Sequence, residues 1–280
     1  ARKIGFIGAS GMMGHGMAKN LRAKGHALAI TVHRNRERVA DLLAAGATEV
    51  ESPAALAAQS DIVFLCVTGS PQVEANLRGP DGVVAGGRPG LVVIDCSTSN
   101  PVSTLALGDE LRAAGMTLVD APLSRTPVEA EAGTLDTMVG CDPDTFARIE
   151  PVIRCWAANV VHLGPLGLGH KMKLVNNFVA MGYAALFAEA LAIARKAGLT
   201  VEQFHSVIGS GRMRSGFYDT FIQWSLAGNE NAHRFTISNA HKDMRYLASM
   251  ANEIGAVNNI QTLVKNSFAA MEAAGDGQKY

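Results

Sequence analysis

A lysine and an asparagine four residues apart, Lys173 and Asn177, have the types and spacing needed for proton chemistry. They share one face of a predicted helix, because residues i and i+4 are neighbours on a helix surface. A glycine-rich break at 167–169 places both in the first turns of that helix. Burial and a nearby helix N-terminus both lower the pKa of an ammonium group, which can then exchange a proton near neutral pH. Lys171 is the competing candidate, but it points to another face and we interpret it as solvated.

A glycine-rich turn near the start of the sequence is a candidate phosphate site. Glycines 8, 11 and 14 follow an apolar segment at 3–7 and begin a segment with helical spacing. Glycine lets a backbone approach a pyrophosphate closely, and the free N–H groups of a helix N-terminus bind it. The sequence therefore predicts a dinucleotide site, with a structural turn as the alternative. The spacing is one residue longer than GxGxxG, and the predicted cofactor contacts are Gly8, Ser10, Gly11, Met12 and Met13.

The residues that follow the second predicted strand bear on which dinucleotide binds. NAD-binding proteins carry an acidic residue there for the ribose hydroxyls, whereas this sequence has His33, Arg34 and Asn35. The guanidinium of Arg34 can pair bidentately with a 2′-phosphate, which a carboxylate would repel. We therefore predict NADP rather than NAD, with these three residues at the adenosine end. The alternative is that Arg34 and Arg36 belong to a solvated helix start.

Two further predicted strands end in short polar segments. Val67 and Thr68 follow one strand, and Thr98 follows the next. In parallel sheets, ligands bind outside the carboxyl ends of the strands. We therefore predict that these residues contact the cofactor. The alternative is that Ser99 or Asn100 caps the following helix.

A later strand is followed by Ser124, Arg125 and Thr126. Two hydroxyl groups beside a permanent cation favour the binding of an anionic group. The segment therefore predicts a site for a small anionic substrate that carries a carboxylate or a sulfonate. The alternative is a structural turn with a solvated arginine.

The predicted secondary structure that must position these residues changes near residue 164, from alternating strands and helices to helices alone. Up to 163, short apolar segments alternate with amphipathic ones, which predicts an α/β fold: a Rossmann-type parallel sheet with right-handed crossovers and helices on both faces. Beyond the break every segment has helical period, so we predict a cofactor-binding domain at 1–163 and an all-helical substrate and dimerisation domain at 164–280. The predicted strands are 3–7, 27–33, 62–67, 91–95, 117–121, 136–139 and 160–163, and the predicted helices are 13–23, 36–44, 102–114, 143–155, 170–197, 201–208, 218–226, 238–255 and 258–274.

Composition excludes several other classes of protein. Lysine plus arginine equal aspartate plus glutamate at 25 each, so the surplus of cations that a nucleic-acid binder needs is missing. Apolar residues reach 48 % and charged residues only 18 %, which excludes a disordered chain. We expect no membrane span, because no uninterrupted apolar stretch reaches about 18 residues. The four cysteines lack metal-ligand spacing and indicate free thiols in the reducing cytoplasm, and we expect no metal.

Four segments in a fixed order resemble the β-hydroxyacid dehydrogenases, which include 3-hydroxyisobutyrate dehydrogenase and semialdehyde reductases. The resemblance covers essentially the whole chain. It implies that Lys173 is the general acid/base, that Asn177 assists it, that Thr98 lies on the nicotinamide–ribose side, and that Lys242 closes over the cofactor. The segments are the glycine-rich turn, 120–126 with 133–135, 167–177, and Phe235 with 241–243.

One segment departs from the family pattern. The family commonly has Ser-Gly-Gly where this chain has Ser124, Arg125 and Thr126. This version looks like the Gly-Arg-Thr element of sulfolactaldehyde reductases, although Ser124 keeps the common serine. Either version implies a site for a carboxylate or a sulfonate.

The resemblance implies an NADP-preferring oxidoreductase that interconverts a small β-hydroxy acid, or hydroxy sulfonate, and its aldehyde or keto form. Imine reductases share the fold but usually replace the catalytic lysine, so Lys173 argues against that alternative. A non-catalytic NADP-binding scaffold is the other alternative, and such relatives lose the lysine and carry added basic segments. The family also pairs through its helical domain, so we expect a homodimer or homotetramer.

Overall fold

The computed structural model describes residues 1–33 and 35–280. Arg34, the residue predicted to select NADP, therefore lies outside the described residues. The chain divides into two compact units, 1–173 and 174–280. The second unit begins ten residues beyond the predicted domain start at 164, inside a long helix.

The first unit is built on one nine-stranded sheet. The strand order is β3-β2-β1-β4-β5-β6-β8-β7, and β9 pairs with β8. The two central strands β4 and β5 are buried at every residue, because helices cover both faces of the sheet. The strands are β1 Lys3–Ile7, β2 Ala27–Thr31, β3 Thr48–Val50, β4 Ile62–Leu65, β5 Val92–Asp95, β6 Thr117–Asp120, β7 Leu123–Ser124, β8 Leu135–Gly140 and β9 Ala157–Gly164.

The side chains of the central strands alternate between two apolar layers. Phe64 and Ile94 face one layer, which also contains Trp156. Val63 and Val93 face the other. This alternation is the period of two expected of a strand, and it confirms the predicted doubly covered sheet.

The helices of the first unit lie on these two layers. The predicted segment at 36–44 forms a 3₁₀ turn, Arg36–Val39, followed by a short α-helix. The α-helices are α1 Met12–Ala23, α2 Ala40–Ala44, α3 Pro53–Ala58, α4 Ser70–Leu77, α5 Val83–Gly86, α6 Pro101–Ala113, α7 Pro127–Ala132 and α8 Pro143–Ile153.

The predicted Rossmann-type parallel sheet is confirmed, but one edge of it contains antiparallel pairings. Strand β8 pairs antiparallel with both β6 and β7, whereas the other described pairings are parallel. Only residues 125–134 connect β7 to β8. A parallel crossover takes a dozen or more residues, so this connection with its short helix α7 reverses the chain instead.

From residue 165 onward every regular element that the structure describes is helical. The predicted helix at 218–226 divides at Ile222 into two short helices. The helices are α9 Leu168–Lys196, α10 Val201–Ile208, α11 Gly216–Phe221, α12 Gln223–Ala227, α13 Ile237–Glu253 and α14 Asn259–Met271, followed by a π-helical turn at Glu272–Asp276.

Two apolar clusters form the interior of the second unit. Helices α13 and α14 contribute Met244 and Phe268 to one cluster, which also contains Leu174 of α9. Phe187 packs edge-on against the buried Tyr218 in the other cluster. Both clusters use α9 as one wall, which explains why this helix is the longest described element.

Helix α9 is also long and apolar enough to cross a membrane when only length and composition are considered. Within its most apolar window, 22 % of the residues are buried inside the chain. The expectation of no membrane segment rested on uninterrupted apolar runs, and it stays a prediction.

Candidate functional site

The glycine-rich turn forms a tightly closed loop at the carboxyl end of β1, and we call residues 8–14 the glycine cradle. Gly8 has a φ of +97°, in the left-handed region that favours glycine. A Cβ on Gly8 would lie 2.1 Å from the carbonyl oxygen of Cys66, and one on Gly14 would lie 2.2 Å from the Gly8 carbonyl oxygen. Both positions therefore require the absence of a side chain.

Helix α1 begins at this cradle with an open N-terminus. Its N-cap residue, Gly11, supplies no side-chain bond, and the first turn carries no acidic residue. Within the described part of the chain, the first N–H groups of α1 are thus left for an anion. A strand end, a loop with glycine at its closest backbone approaches and an uncapped helix N-terminus fit the pyrophosphate of a dinucleotide.

The carboxyl ends of four parallel strands lie in register beside the cradle. Ile7 pairs with Leu65, Leu65 with Asp95, and Asp95 with Asp120. The residues that follow these positions therefore emerge at one edge of the sheet. Thr98, predicted to lie on the nicotinamide–ribose side, is half-buried at that edge.

The segment after β4 is held by the segment after β5. The backbone N–H of Val67 donates to the Ser97 hydroxyl at 3.0 Å. Thr68, which follows it, is exposed. Asn100 caps helix α6 by accepting from the Val102 N–H at 3.1 Å, so the capping alternative holds for this residue. Ser99 instead donates to Asp95 at 2.7 Å.

The predicted adenosine end is described only on either side of Arg34. His33 and Asn35 are both exposed, which leaves their side chains accessible to a ligand. The guanidinium of Arg36 lies 2.5 Å from the Glu49 carboxylate. The Arg36 guanidinium is therefore paired with a carboxylate of strand β3.

The predicted substrate segment is a strained turn. Arg125 has a φ of +83°, a left-handed conformation that is unusual for a residue with a side chain. Its Nε donates to Asp136 at 2.8 Å, and this bond raises the pKa of the guanidinium above its ordinary value. Thr126 caps helix α7 in a capping box with Glu129. The hydroxyl of Thr126 is thus already used in the fold, whereas the Arg125 side chain is half exposed and keeps further donors.

On helix α9 the predicted catalytic pair lies one turn apart, with Lys173 half-buried and Asn177 buried. The Asn177 Nδ2 donates to Asp243 at 2.7 Å. Asp243 is only 1 % exposed, and its second oxygen lies 3.3 Å from the Lys242 ammonium. The structure thus brings together three motif residues, Asn177, Lys242 and Asp243, and fixes the orientation of the Asn177 amide.

A histidine that sequence reasoning passed over connects the cradle helix with the helix after the substrate segment. His15 of α1 lies 2.5 Å from Glu131 of α7 and 2.9 Å from Asp41 of α2, through its two ring nitrogens. Burial lowers the pKa of His15, but the hydrogen bonds with the two carboxylates outweigh burial and raise it. Through these two contacts His15 links α1 with α2 and α7.

The cysteines, histidines and carboxylates are the side chains that could bind a metal. In the residues that the structure describes, no group of three His, Cys, Asp or Glu side chains could hold a metal ion. All four cysteines are free thiols. Burial raises the pKa of Cys66 to about 12, so this thiol, which lies beside the cradle, is protonated at neutral pH.

Sequence comparison assigns both parts of the chain to known families. Residues 3–164 match the NAD binding domain of 6-phosphogluconate dehydrogenase. Residues 167–279 match the NAD-binding region of NADP-dependent 3-hydroxyisobutyrate dehydrogenase. The fold and the glycine cradle thus define an NAD(P)-dependent oxidoreductase. More narrowly, the chain belongs to the β-hydroxyacid dehydrogenase family, as its motifs indicate.

Individual relatives span nearly the whole chain. A 2-(hydroxymethyl)glutarate dehydrogenase of Eubacterium barkeri is 35 % identical over 92 % of this chain and 84 % of its own length. A 3-sulfolactaldehyde reductase of Escherichia coli (strain K12) is 29 % identical over 99 % of this chain and 92 % of its own. The structure of Mycobacterium tuberculosis 3-hydroxyisobutyrate dehydrogenase with L-serine superposes with a TM-score of 0.86 at 25 % identity, covering 99 % of this chain and 96 % of that one.

Imine reductases are more distant neighbours. One from Myxococcus stipitatus superposes with a TM-score of 0.66 at 18 % identity, covering 100 % of this chain and 96 % of that chain. At this level of identity the likeness shows a shared fold alone. The hydroxyacid dehydrogenase assignment fits the chain better.

Proposed function

We propose that this enzyme interconverts a short β-hydroxy acid, or a hydroxy sulfonate, and its aldehyde or keto form, with NADP as the preferred cofactor and Lys173 as the general acid/base. The observation that carries the proposal is on helix α9. The half-buried Lys173 lies one turn before Asn177, whose amide is fixed by the buried Asp243. Such a pair, an ammonium group beside an oriented amide, is suited to holding a hydroxyl group and moving its proton.

The chemistry of Lys173 follows from the charge that the reaction creates. The nicotinamide, when bound, supplies or accepts the hydride. Reduction of a carbonyl leaves an alkoxide, and the Lys173 ammonium donates the proton that neutralises it. In the reverse direction the neutral amine takes the proton from the hydroxyl group. Asn177 donates from its Nδ2 to Asp243, and its Oδ1 accepts from the Asn176 Nδ2 at 3.4 Å. An amide oxygen has two lone pairs, so Oδ1 can accept one further bond from the ammonium or the substrate hydroxyl.

The cofactor contacts proposed for this chain start at the glycine cradle, which takes the pyrophosphate. The strand-end register supports the contacts at Val67, Thr68 and Thr98, because these residues follow strands that end in line with β1. Lys242 lies on α13 and contacts Asp243, so its proposed closure over the cofactor rests on the family resemblance. The preference for NADP rests on Arg34.

The substrate side is proposed to bind an anion at Ser124, Arg125 and Thr126. The left-handed conformation of Arg125 supports this, because a strained turn is retained where the family commonly carries glycine. Two of the relatives are named for small anionic molecules, a hydroxymethylglutarate and a sulfolactaldehyde. The Arg125–Asp136 bond uses Nε alone, which leaves the guanidinium fork for a carboxylate or a sulfonate.

A cofactor and substrate panel tests the proposal. We expect NADPH oxidation in the presence of glyoxylate, succinic semialdehyde, methylmalonate semialdehyde or sulfolactaldehyde, with kcat/KM at least tenfold higher than with NADH. Replacing Arg34 with alanine should lower kcat/KM for NADPH about tenfold or more and leave that for NADH unchanged, since the loss of one charge-assisted pair costs about 1.5–3 kcal/mol. Arg38→Ala is the matched control, because Arg38 is an exposed arginine nearby. A preference for NADH would overturn the NADP proposal.

We also propose that two copies of the chain associate through the helical unit, in the reducing cytoplasm that its free thiols suit. Large apolar side chains such as Leu186, Ile193, Ile260 and Leu263 are mostly exposed on α9 and α14. A second copy of the chain would cover such a face. Light scattering is expected to give at least twice the 29.4 kDa of one chain, and a monomer at micromolar concentration would contradict the proposal.

A further inference from the structure

The third residue of helix α9, His170, is completely buried and fully hydrogen-bonded. Its Nε2 lies 3.0 Å from the carbonyl oxygen of Ser97. Its Nδ1 lies 2.8 Å from the hydroxyl of Thr104 on α6. His170 thus joins the start of α9 to the segment after β5 and to the helix that follows it.

The partners of His170 define the hydrogen bonds of its ring. A carbonyl oxygen can only accept, so Nε2 donates to Ser97. The Thr104 hydroxyl, which bonds Nδ1, also lies 3.2 Å from the Asn100 carbonyl oxygen at the start of α6. Both ring nitrogens therefore have a partner, and the orientation of the ring is fixed.

Two buried carboxylates lie beside the His170 ring. Asp95 lies 3.6 Å from Nε2, and Asp120 lies 3.9 Å from Nδ1, each measured to its Oδ2 atom. Both aspartates are at most 2 % exposed. Asp95 is further held by the Ser97 N–H at 2.9 Å and the Ser99 hydroxyl at 2.7 Å. We call Asp95, His170 and Asp120 the buried triad.

Asp120 also binds the backbone at the N-terminus of α9. Its Oδ1 accepts from the Gly167 N–H at 2.8 Å, and its Oδ2 accepts from the His170 N–H at 2.7 Å. A Cβ on Gly169 would lie 2.9 Å from Oδ2, so this close approach requires a glycine in the helix start. Burial raises the pKa of Asp120 above its ordinary value, and the N–H bonds from Gly167 and His170 offset this only in part.

Such an arrangement is a poor way to gain stability. Burying two carboxyl groups and an imidazole has a desolvation cost that apolar side chains of the same volume would avoid. What the triad does provide is a fixed geometry, because each polar group has partners in definite directions. It holds the first turn of α9 to the ends of β5 and β6, and Ser97 of the same network accepts the Val67 N–H at the end of β4.

We propose that the buried triad is a positioning device that sets the place of Lys173 relative to the strand ends of the cofactor site. The proposal rests on the general acid/base role proposed for Lys173. His170 and Lys173 are three residues apart, so they are neighbours on α9 and separated by about 4.5 Å along its axis. A tilt or fraying of the first turn would therefore move the Lys173 ammonium directly. Asp95, His170 and Asp120 are positioning residues and touch neither substrate nor cofactor in this scheme.

The variants Asp120→Asn and His170→Gln test the proposal in the full-length enzyme. Each replaces one titratable member of the triad with an amide side chain of similar size. We expect kcat to fall about 10- to 100-fold, as for a misplaced catalytic group, with KM and the NADPH Kd within about threefold of wild type. The solvent deuterium isotope effect on kcat should rise, because proton transfer from a displaced ammonium becomes slower. A purely structural role would lower the Tm without increasing that isotope effect.

Two controls separate positioning from loss of stability. Leu42→Ala creates a cavity in the same unit at a buried residue of α2, so it should lower the Tm at least as much and leave kcat unchanged at 25 °C. Thr104→Val removes the hydroxyl that bonds His170 Nδ1 and the Asn100 carbonyl oxygen, and it serves as the test if the other two variants do not fold. We expect its kcat to fall about three- to tenfold with the same rise in isotope effect.

The variant Lys173→Ala separates failure of the positioning proposal from failure of the proposed function. If Lys173→Ala keeps full turnover, the proposed role of Lys173 is wrong. If Lys173→Ala loses turnover but the triad variants keep the wild-type kcat and isotope effect, the positioning proposal alone is overturned.

Discussion

Replacing Lys173 with alanine is expected to lower kcat for carbonyl reduction by about a thousandfold or more, while NADPH still binds. Without the ammonium group, the alkoxide must take its proton from water, and a positioned general acid typically contributes 10²- to 10⁴-fold. The effect should exceed that of losing one substrate contact, since the lysine acts in the transition state in both directions. Steady-state assays of reduction and oxidation, with the NADPH Kd from cofactor fluorescence, measure the two quantities separately.

Lys171→Ala is the matched control for that experiment. Lys171 is two residues away on the same helix and faces another direction, so its replacement should leave both kcat and Kd near wild type. The kcat of Asn177→Ala should lie between those of Lys171→Ala and Lys173→Ala, because this variant removes the oriented amide but keeps the Lys173 ammonium. Turnover that survives Lys173→Ala would contradict the general acid/base role. NADPH binding without turnover of any carbonyl acid by the wild-type enzyme would instead favour the scaffold alternative.

The parts of this fold that could be predicted from sequence are those set by local pattern. Strands β4 and β5 are apolar at every residue, so their burial on both faces is readable directly. Helix α9 is long enough for its period to be unambiguous, and its break at 167–169 gives its start. Short elements such as β3, α3 and α4 were not predicted, because three to eight residues do not define a period.

In the candidate site, too, only the features set by a local sequence pattern could be predicted. Glycine spacing indicated the cradle, and its steric basis is found in the structure at Gly8 and Gly14. The Asn177–Asp243 bond and the Asp120–His170 contacts join residues that are 66 and 50 positions apart. No local pattern specifies such pairings, because they arise only when strand order and helix placement bring the side chains together. Asp120 was visible in its motif, but its partner at the start of α9 was not.

Replacing Gly14 with alanine is expected to raise the NADPH Kd about a hundredfold or more, with less effect on Tm. The added Cβ would lie 2.2 Å from the Gly8 carbonyl oxygen and 3.0 Å from its carbon. Both are backbone atoms and cannot rotate away, so either the turn at Gly8 or the start of α1 must shift by about 1 Å. That shift moves the N–H groups that would bind the pyrophosphate, and a hundredfold change in Kd corresponds to about 2.7 kcal/mol.

A graded series of glycine variants distinguishes this geometric cause from a general effect of alanine. A Cβ on Gly11 would lie 3.1 Å from the Gly8 carbonyl oxygen, a contact that a small adjustment relieves, so Gly11→Ala should raise the Kd several-fold. A Cβ on Gly216, the first residue of α11, would meet nothing within 4 Å, so Gly216→Ala should leave the Kd unchanged. The NADPH Kd is therefore expected to be highest for Gly14→Ala, lower for Gly11→Ala and lowest for Gly216→Ala. If Gly14→Ala bound NADPH with wild-type affinity, the pyrophosphate could not lie against the cradle. The cofactor contacts proposed at the ends of β4 and β5 would then also be unsupported, because they were inferred from the position of the cradle.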